Sequence, residues 1–303
     1  MFKGFEEIER YVLDRGTRKR IALAAAHDEV SLGAVVDARR KGVVEATLVG
    51  DRAAVLSLLA TLGEDPGEYE IVDAASGGDA SLRAMELVRD GAADIEMKGN
   101  LPSADFLLPI MNPFDGLVEL GESMCEVTAF CYPDQDRMMF ATDCALTVAP
   151  SLDEKANLIV KAVELARAFG FDEVNVAAIS PLERVNPQIP ATRDADELAR
   201  RTWPEGVFVA GPFALDNALD EEAARHKGID SPVAGRADVL LMPDLCTGNV
   251  FHKCLHYFGH VSSAGVVCGT KKPVVFTSRS DSAEAKYHSI LAAILQSMAI
   301  KDV

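Results

Sequence analysis

Short apolar runs at residues 21–26, 46–50, 70–72 and 93–97 alternate with stretches of helical periodicity. This alternation constrains the fold more than any other feature of the chain. A strand followed by a crossover helix returns parallel to the first strand, so repeated units of this kind build a parallel sheet with helices on its faces. The helical stretches carry start and stop signals. Gly42 follows the one at 31–41 and Gly91 the one at 81–89. Asp51 precedes a stretch in which Val55, Leu58, Leu59 and Leu62 recur at i, i+3, i+4 and i+7.

The pattern changes between residues 111 and 142. Residues 126–132 and 137–142 read as two strands of a hairpin, with Pro133-Asp134-Gln135-Asp136 as the turn. Alternation then resumes. Ser151 and Glu154 have capping-box spacing, and the helix they open is expected to run to Gly170. Strands are expected at 173–179, 207–210, 237–242, 265–268 and 274–277, with a last helix from Asp281 to the end of the chain. No repeat, low-complexity segment or flexible linker interrupts the sequence. Two α/β lobes crossed more than once by the chain fit this better than two beads on a string.

The net charge of −17 over 303 residues argues against general nucleic-acid binding, which needs a basic face. No apolar run approaches the roughly 18 residues of a membrane span. The acidic, amphipathic start lacks the basic head and apolar core of a signal peptide, so a cytosolic location is the default. None of the six cysteines has CxxC spacing, and free buried thiols are expected.

In parallel α/β sheets, ligands bind beyond the carboxyl ends of strands. Polar residues just past the expected strands are therefore the candidates. Ser278 and Arg279 follow the strand at 274–277, and Asp281 and Glu284 have the spacing of a capping box for the helix after it. Free N–H groups and the helix dipole collect anions at such a place, and an arginine fork matches phosphate oxygens. Lys98-Gly99-Asn100, Thr142-Asp143, Gly211-Pro212 (with Asp216 and Asn217 further on) and Pro243-Asp244 through Gly248-Asn249 occupy equivalent positions. Each has a plainer reading. Lys98 can be a solvated strand end, Asp143, Asp244 and Asp281 helix caps, Asn249 a turn residue, and Ser278 a partner of the turn backbone. His252, His256 and His260 share i, i+4, i+8 spacing without a carboxylate or cysteine partner at familiar metal-site distance, so no metal is expected. Cys268 reads as a buried thiol. Neither GxGxxG, GxxxxGK[ST] nor GxSxG is present.

Longer strings narrow the choice. Gly211-Pro212-Phe213-Ala214-Leu215-Asp216-Asn217-Ala218 is followed by His226-Lys227-Gly228-Ile229 and by Ser231-Pro232-Val233-Ala234-Gly235-Arg236-Ala237-Asp238. Pro243-Asp244, Gly248-Asn249, Lys253 and Thr277-Ser278-Arg279-Ser280-Asp281-Ser282-Ala283-Glu284 come next. In that order, with Met97-Lys98-Gly99-Asn100, Thr142-Asp143-Cys144-Ala145 and Val185-Asn186-Pro187, they resemble the phosphate acetyltransferase and phosphate butyryltransferase family. The butyryl branch is the more similar, through residues 97–100 and 277–284.

The resemblance implies an α/β fold of two parallel-sheet lobes with an interdomain cleft, like isocitrate and isopropylmalate dehydrogenases. The expected division is 1–120 with 267–303, and 121–266. It implies a reversible acyltransferase that converts acyl-CoA and phosphate to acyl phosphate and CoA in a ternary complex. No cofactor or metal is implied, and the protein is expected to be a homo-oligomer. Ser278, Arg279 and a base, Asp281 or Glu284, would be catalytic. Lys98, Gly99, Asn100, Thr142, Asp143, Asp244, Gly248 and Asn249 would bind substrate. Two departures stand out: Leu108 where the acetyl branch has an arginine, and Ala285 near that branch's proposed catalytic aspartate. An NAD-dependent dehydrogenase of similar shape and a non-catalytic acyl-CoA-binding relative are the alternatives.

Overall fold

The computed structural model describes residues 1–118, 121–132 and 135–300. The chain divides into two compact units. A terminal unit comprises Phe5–Met124 and Ser262–Val303, and a central unit comprises Cys125–Val261 with Met1–Gly4.

The terminal unit begins with α1 (Phe5–Asp14) and then alternates as the sequence pattern predicts: β1 (Lys19–Ala24), α2 (Glu29–Arg40), β2 (Val44–Gly50), α3 (Arg52–Thr61), β3 (Glu70–Asp73), α4 (Gly77–Arg89) and β4 (Ile95–Lys98); a further helix, α5 (Ser103–Ile110), follows. The four strands pair in parallel in the order β3-β2-β1-β4. Short polar side chains start the helices. Asp28 accepts from the Ser31 N–H at 2.9 Å and Asp51 from the Ala54 N–H at 2.9 Å. The helix α4 starts at Gly77 rather than Ser81, because Ser76 caps it through the Asp79 N–H at 3.2 Å and two glycines enter its first turn.

The chain continues into the central unit as β5 (Cys125–Cys131) and β6 (Met138–Thr142), an antiparallel pair as expected. Pro133 and Asp134 of the expected turn lie outside the described residues. Then come α6 (Leu152–Ala168), β7 (Val174–Ile179), α7 (Pro190–Ala199), β8 (Val207–Phe213), α8 (Leu215–Leu219), α9 (Glu221–His226), β9 (Val239–Leu241) and α10 (Leu245–Tyr257). The capping box of Ser151 and Glu154 is formed in both directions. Strands run β5-β6-β9-β7-β8, parallel from β6 onward. Gly211 and Pro212 lie inside β8 rather than beyond its end. A Cβ on Gly211 would come within 2.9 Å of the Ala178 carbonyl, so the strand can pass there only without a side chain.

The terminal unit is completed by β10 (Ser263–Cys268), β11 (Val274–Val275) and α11 (Ala283–Ala299). The strand β11 is parallel to β4 and antiparallel to β10, so the strand pairing is mixed here. All four residues of β4 are buried, Glu96 and Lys98 included. Strands covered on both faces are normally continuous apolar runs. Two ionisable side chains in one such strand therefore call for explanation. Among the described residues, no helix is long and apolar enough to cross a membrane.

Candidate functional site

Lys98 ends β4 with 2% of its surface exposed. The next residue must be glycine. The Gly99 N–H donates to the Ala24 carbonyl at 2.8 Å, and a Cβ on Gly99 would overlap the carbonyl oxygens of Ala24 and Ala25. The end of β4 is thus pressed against the end of β1, and the Lys98 side chain is held inside. Its ammonium lies 3.4 Å from the Gly99 carbonyl. Burial pushes its pKa down to about 8, the positive charges of Lys286 and Arg279 push the same way, and Asp28 and Asp281 oppose them. Asn100 is exposed, with its N–H 3.4 Å from the Ala25 carbonyl.

Between β11 and α11 the chain makes a closed turn. Phe276 packs on Phe106 of α5, ring centroids 6.1 Å apart, and fixes the entry to the turn. The Ser278 N–H donates to Asp281 Oδ2 at 2.7 Å, and the Asp281 N–H donates back to the Ser278 carbonyl at 3.1 Å. Ser278 Oγ lies 3.0 Å from Ser280 Oγ. Arg279 projects from this turn and is exposed. The expected capping box of Asp281 and Glu284 does not form. Ser282 is the cap, accepting from the Ala285 N–H at 3.1 Å, because the Asp281 carboxylate is drawn back to Ser278. Arg279 therefore stands in a turn ahead of the helix rather than on its first residues.

The residue that sequence reasoning missed is Lys286. It has 1% of its surface exposed and donates from Nζ to Thr277 Oγ1 and to the Ser278 carbonyl, both at 3.0 Å. Burial lowers its pKa, against the attraction of Asp281 and Asp28. A signal was available. Lys286, Ser289, Ile290 and Ala293 fall at i, i+3, i+4 and i+7 and are all buried, so the lysine sits on the inward stripe of α11. Glu284 lies two residues before it, on the other side of the helix. It is exposed, and the charge it acts on is His288 one turn later, whose pKa burial pushes down to about 4.

Lys98, Lys286 and Arg279 set three positive charges against the two of Asp28 and Asp281. Both carboxylates already accept backbone N–H groups, from Ser31 and Ser278. The two lysines are buried and Arg279 is exposed, in a protein of net charge −17. This arrangement attracts an anion, with a hydroxyl at Ser278 and a guanidinium fork at Arg279 to orient it.

The other predicted residues meet in the central unit. Thr142 is fully buried and donates from Oγ1 to the Glu126 carbonyl at 3.0 Å. Asp143 accepts from the N–H groups of Glu126, Ala145, Leu146 and Thr147 and from Thr147 Oγ1, at 2.8–3.2 Å. Gly248 lets α10 pass against this loop, since a Cβ there would overlap the Asp143 carbonyl oxygen. Asn249 Nδ2 donates to the Cys144 carbonyl at 3.2 Å. Asp244 caps α10, accepting from Thr247 N–H at 2.8 Å and Oγ1 at 2.9 Å. His252 and His256 lie in α10, but His260 lies beyond its end with φ +49°, so the three histidines do not share one helical face. Cys268 is buried beside Gln296, Nε2 to Sγ 3.5 Å.

Residues 70–294 match the family described as phosphate acetyl/butaryl transferase. The sequence is 42% identical to the phosphate butyryltransferase of Clostridium acetobutylicum, over 97% of this chain and 98% of that one. The chain belongs to this family. It is also 36% identical to the phosphate acetyltransferase of Thermotoga maritima, over 91% of this chain and 94% of that one. Among solved structures, a branched-chain phosphotransacylase from Enterococcus faecalis V583 superposes with a TM-score of 0.83 at 28% identity, covering 92% of this chain and 99% of that one. The family match runs from β3 into α11 and takes in Lys98, the Ser278-Arg279 turn and Lys286.

Proposed function

We propose that this protein transfers a short acyl group reversibly between coenzyme A and phosphate, as a phosphate acyltransferase of the butyryl type. The observation that carries the reading is identity of 42% to a phosphate butyryltransferase over nearly the whole of both chains. The surplus positive charge at Lys98, Lys286 and Arg279 supports it, because phosphate and acyl phosphate are both anions.

In the forward direction a phosphate oxygen attacks the thioester carbonyl carbon, the carbon–sulfur bond breaks, and the CoA thiolate leaves and takes up a proton. In reverse, a base removes the thiol proton, the thiolate attacks the acyl phosphate, and phosphate departs with its bonding pair. Arg279, Ser278 and the Lys98 ammonium would orient the phosphate and stabilise the negative charge that develops on the reacting oxygens, the dominant demand in such a transfer. Of the two candidate bases, Asp281 is grouped with the cations and Glu284 is not, so we assign the proton to Asp281. The chemistry needs no metal and no resident cofactor, since CoA and phosphate are substrates. We further propose a cytosolic location and a homo-oligomeric state.

A thiol-release assay with acetyl-, propionyl- and butyryl-CoA tests this. Phosphate-dependent release of CoA is expected, and its absence with all three substrates overturns the reading.

A further inference from the structure

We infer that Lys286 is a positioning residue of the phosphate site: from the inward face of α11 it holds the Thr277–Ser278 backbone in place and sets a second buried positive charge beside Lys98. The inference rests on reading that site as one for phosphate.

The first argument is geometric. Lys286 reaches out of its helix to two acceptors on the segment that carries Ser278 and Arg279, Thr277 Oγ1 and the Ser278 carbonyl. Holding the Ser278 carbonyl toward Lys286 orients the whole peptide plane. Across a trans peptide, the Arg279 N–H must then point the opposite way. The Lys286 side chain, together with the Asp281 N–H that shares the Ser278 carbonyl, thus helps to set which side of the turn presents a backbone donor and from which side Arg279 departs.

The second argument concerns charge. Both acceptors of Lys286 are neutral, and a neutral donor of similar length would satisfy them. An ammonium at 1% exposure is costly to keep unless the charge itself is used. The carboxylates that oppose it, Asp28 and Asp281, are the same two that oppose Lys98. Two lysines and Arg279 therefore share two carboxylates, both already engaged by backbone N–H groups. Buried like charges held this close favour the entry of an anion.

The charge has a readable consequence. Besides burial, the leading charges acting on Lys98 are Lys286 and Arg279, which lower its pKa, and Asp28 and Asp281, which raise it. Removing the Lys286 charge should let Lys98 keep its proton to higher pH. A residue that merely braced the loop would not move that titration.

The test uses Lys286→Met and Lys286→Gln in the full chain, with wild type alongside. The glutamine variant keeps a donor without the charge. The expected result is a KM for phosphate raised at least about tenfold in Lys286→Met, the scale of a lost charged hydrogen bond. The high-pH limb of kcat/KM for phosphate should move upward in both variants, and thermal midpoints should be no lower than that of wild type. Thr277→Val, which keeps the charge, should leave the limb where it is. A phosphate KM within twofold of wild type and an unmoved limb in either folded lysine variant overturn the inference. Failure of the underlying reading looks different, because wild type itself would then show no phosphate-dependent CoA release.

Discussion

The Lys98–Arg279 group of the terminal unit and the Asp143 loop of the central unit grow from the same kind of sequence, polar residues directly after a buried strand. Their hydrogen bonding is opposite. Asp143 is surrounded by five donors, four from the segment that follows it and one from Glu126 on β5, and Thr142 Oγ1, Asn249 Nδ2 and Asp244 Oδ1 likewise bond to neighbouring backbone or to Thr247. In the terminal group, three cations share two carboxylates that backbone N–H groups already use. Polarity beyond a strand end shows only that polar chemistry is present. Whether it closes on itself or stays incomplete separates a braced loop from a site that needs a ligand.

The largest effect expected from this contrast is on turnover. Arg279→Ala should lower phosphate-dependent CoA release at least about 100-fold, the loss expected from removing a transition-state anion donor. Its thermal midpoint should be unchanged, since the side chain is exposed. Turnover near that of wild type would take Arg279 out of the mechanism. Asp143→Ala should do the reverse. It leaves four backbone N–H groups and one hydroxyl without their acceptor, costing about 2–3 kcal/mol of stability by urea unfolding, with the phosphate KM of the folded fraction unchanged. A stable Asp143→Ala protein with a raised phosphate KM would break the comparison.

Lys98 sharpens it further. A lysine with a pKa near 8 is charged below that pH and neutral above it. Phosphate binding should therefore be strongest below pH 8 and weaken by up to about tenfold per pH unit above it. A phosphate KM flat from pH 7 to pH 9.5 would remove Lys98 from the site. The smallest effect concerns Glu96, two residues earlier on the same strand. It is fully buried, and desolvation pushes its acid well above the ordinary range, against the hydrogen bond from Ser81 Oγ, 3.5 Å from Oε1. A carboxyl that is neutral when folded and ionised when unfolded stabilises the fold at low pH, and this contribution is lost as pH rises from its unfolded value through its folded one. Glu96→Gln has no such loss. Its thermal midpoint should exceed that of wild type by about 2 °C at pH 8 and by less at pH 6, with turnover unchanged. A fall in turnover would mean that Glu96 belongs to the functional group.

Local signals carried much of this. The βα alternation, the cap at Asp51 and the capping box of Ser151 and Glu154 were legible because each depends on residues within one turn of one another. The start of α11 was misread for a related reason. Asp281 and Ser282 are both good caps, and the spacing to Glu284 favoured the wrong one, because the hydrogen bond from Ser278 that claims Asp281 arises only when the turn closes. Ser278, Arg279 and Lys98 could be marked from their places after strands. Lys286 was visible on the apolar stripe of its helix, yet lysine is so rarely buried that the position reads as solvated until the partners at Thr277 and Ser278 are seen. The local donors to Asp143 are within one turn of it, but the fifth, from Glu126 on another strand, was out of reach of sequence spacing.

The like charges around Lys98 also bear on how long the protein lasts. An anion that binds the folded chain and not the unfolded one raises stability by about 2.7 kcal/mol at a hundred times its dissociation constant. Lowering the open fraction by that much slows proteolysis in the same proportion when opening is fast relative to cleavage. On the proposed phosphate site, a catalyst built around mutually repelling lysines would be most durable where phosphate is plentiful and soonest degraded where it is scarce, so its abundance would follow the supply of its substrate without any separate regulator.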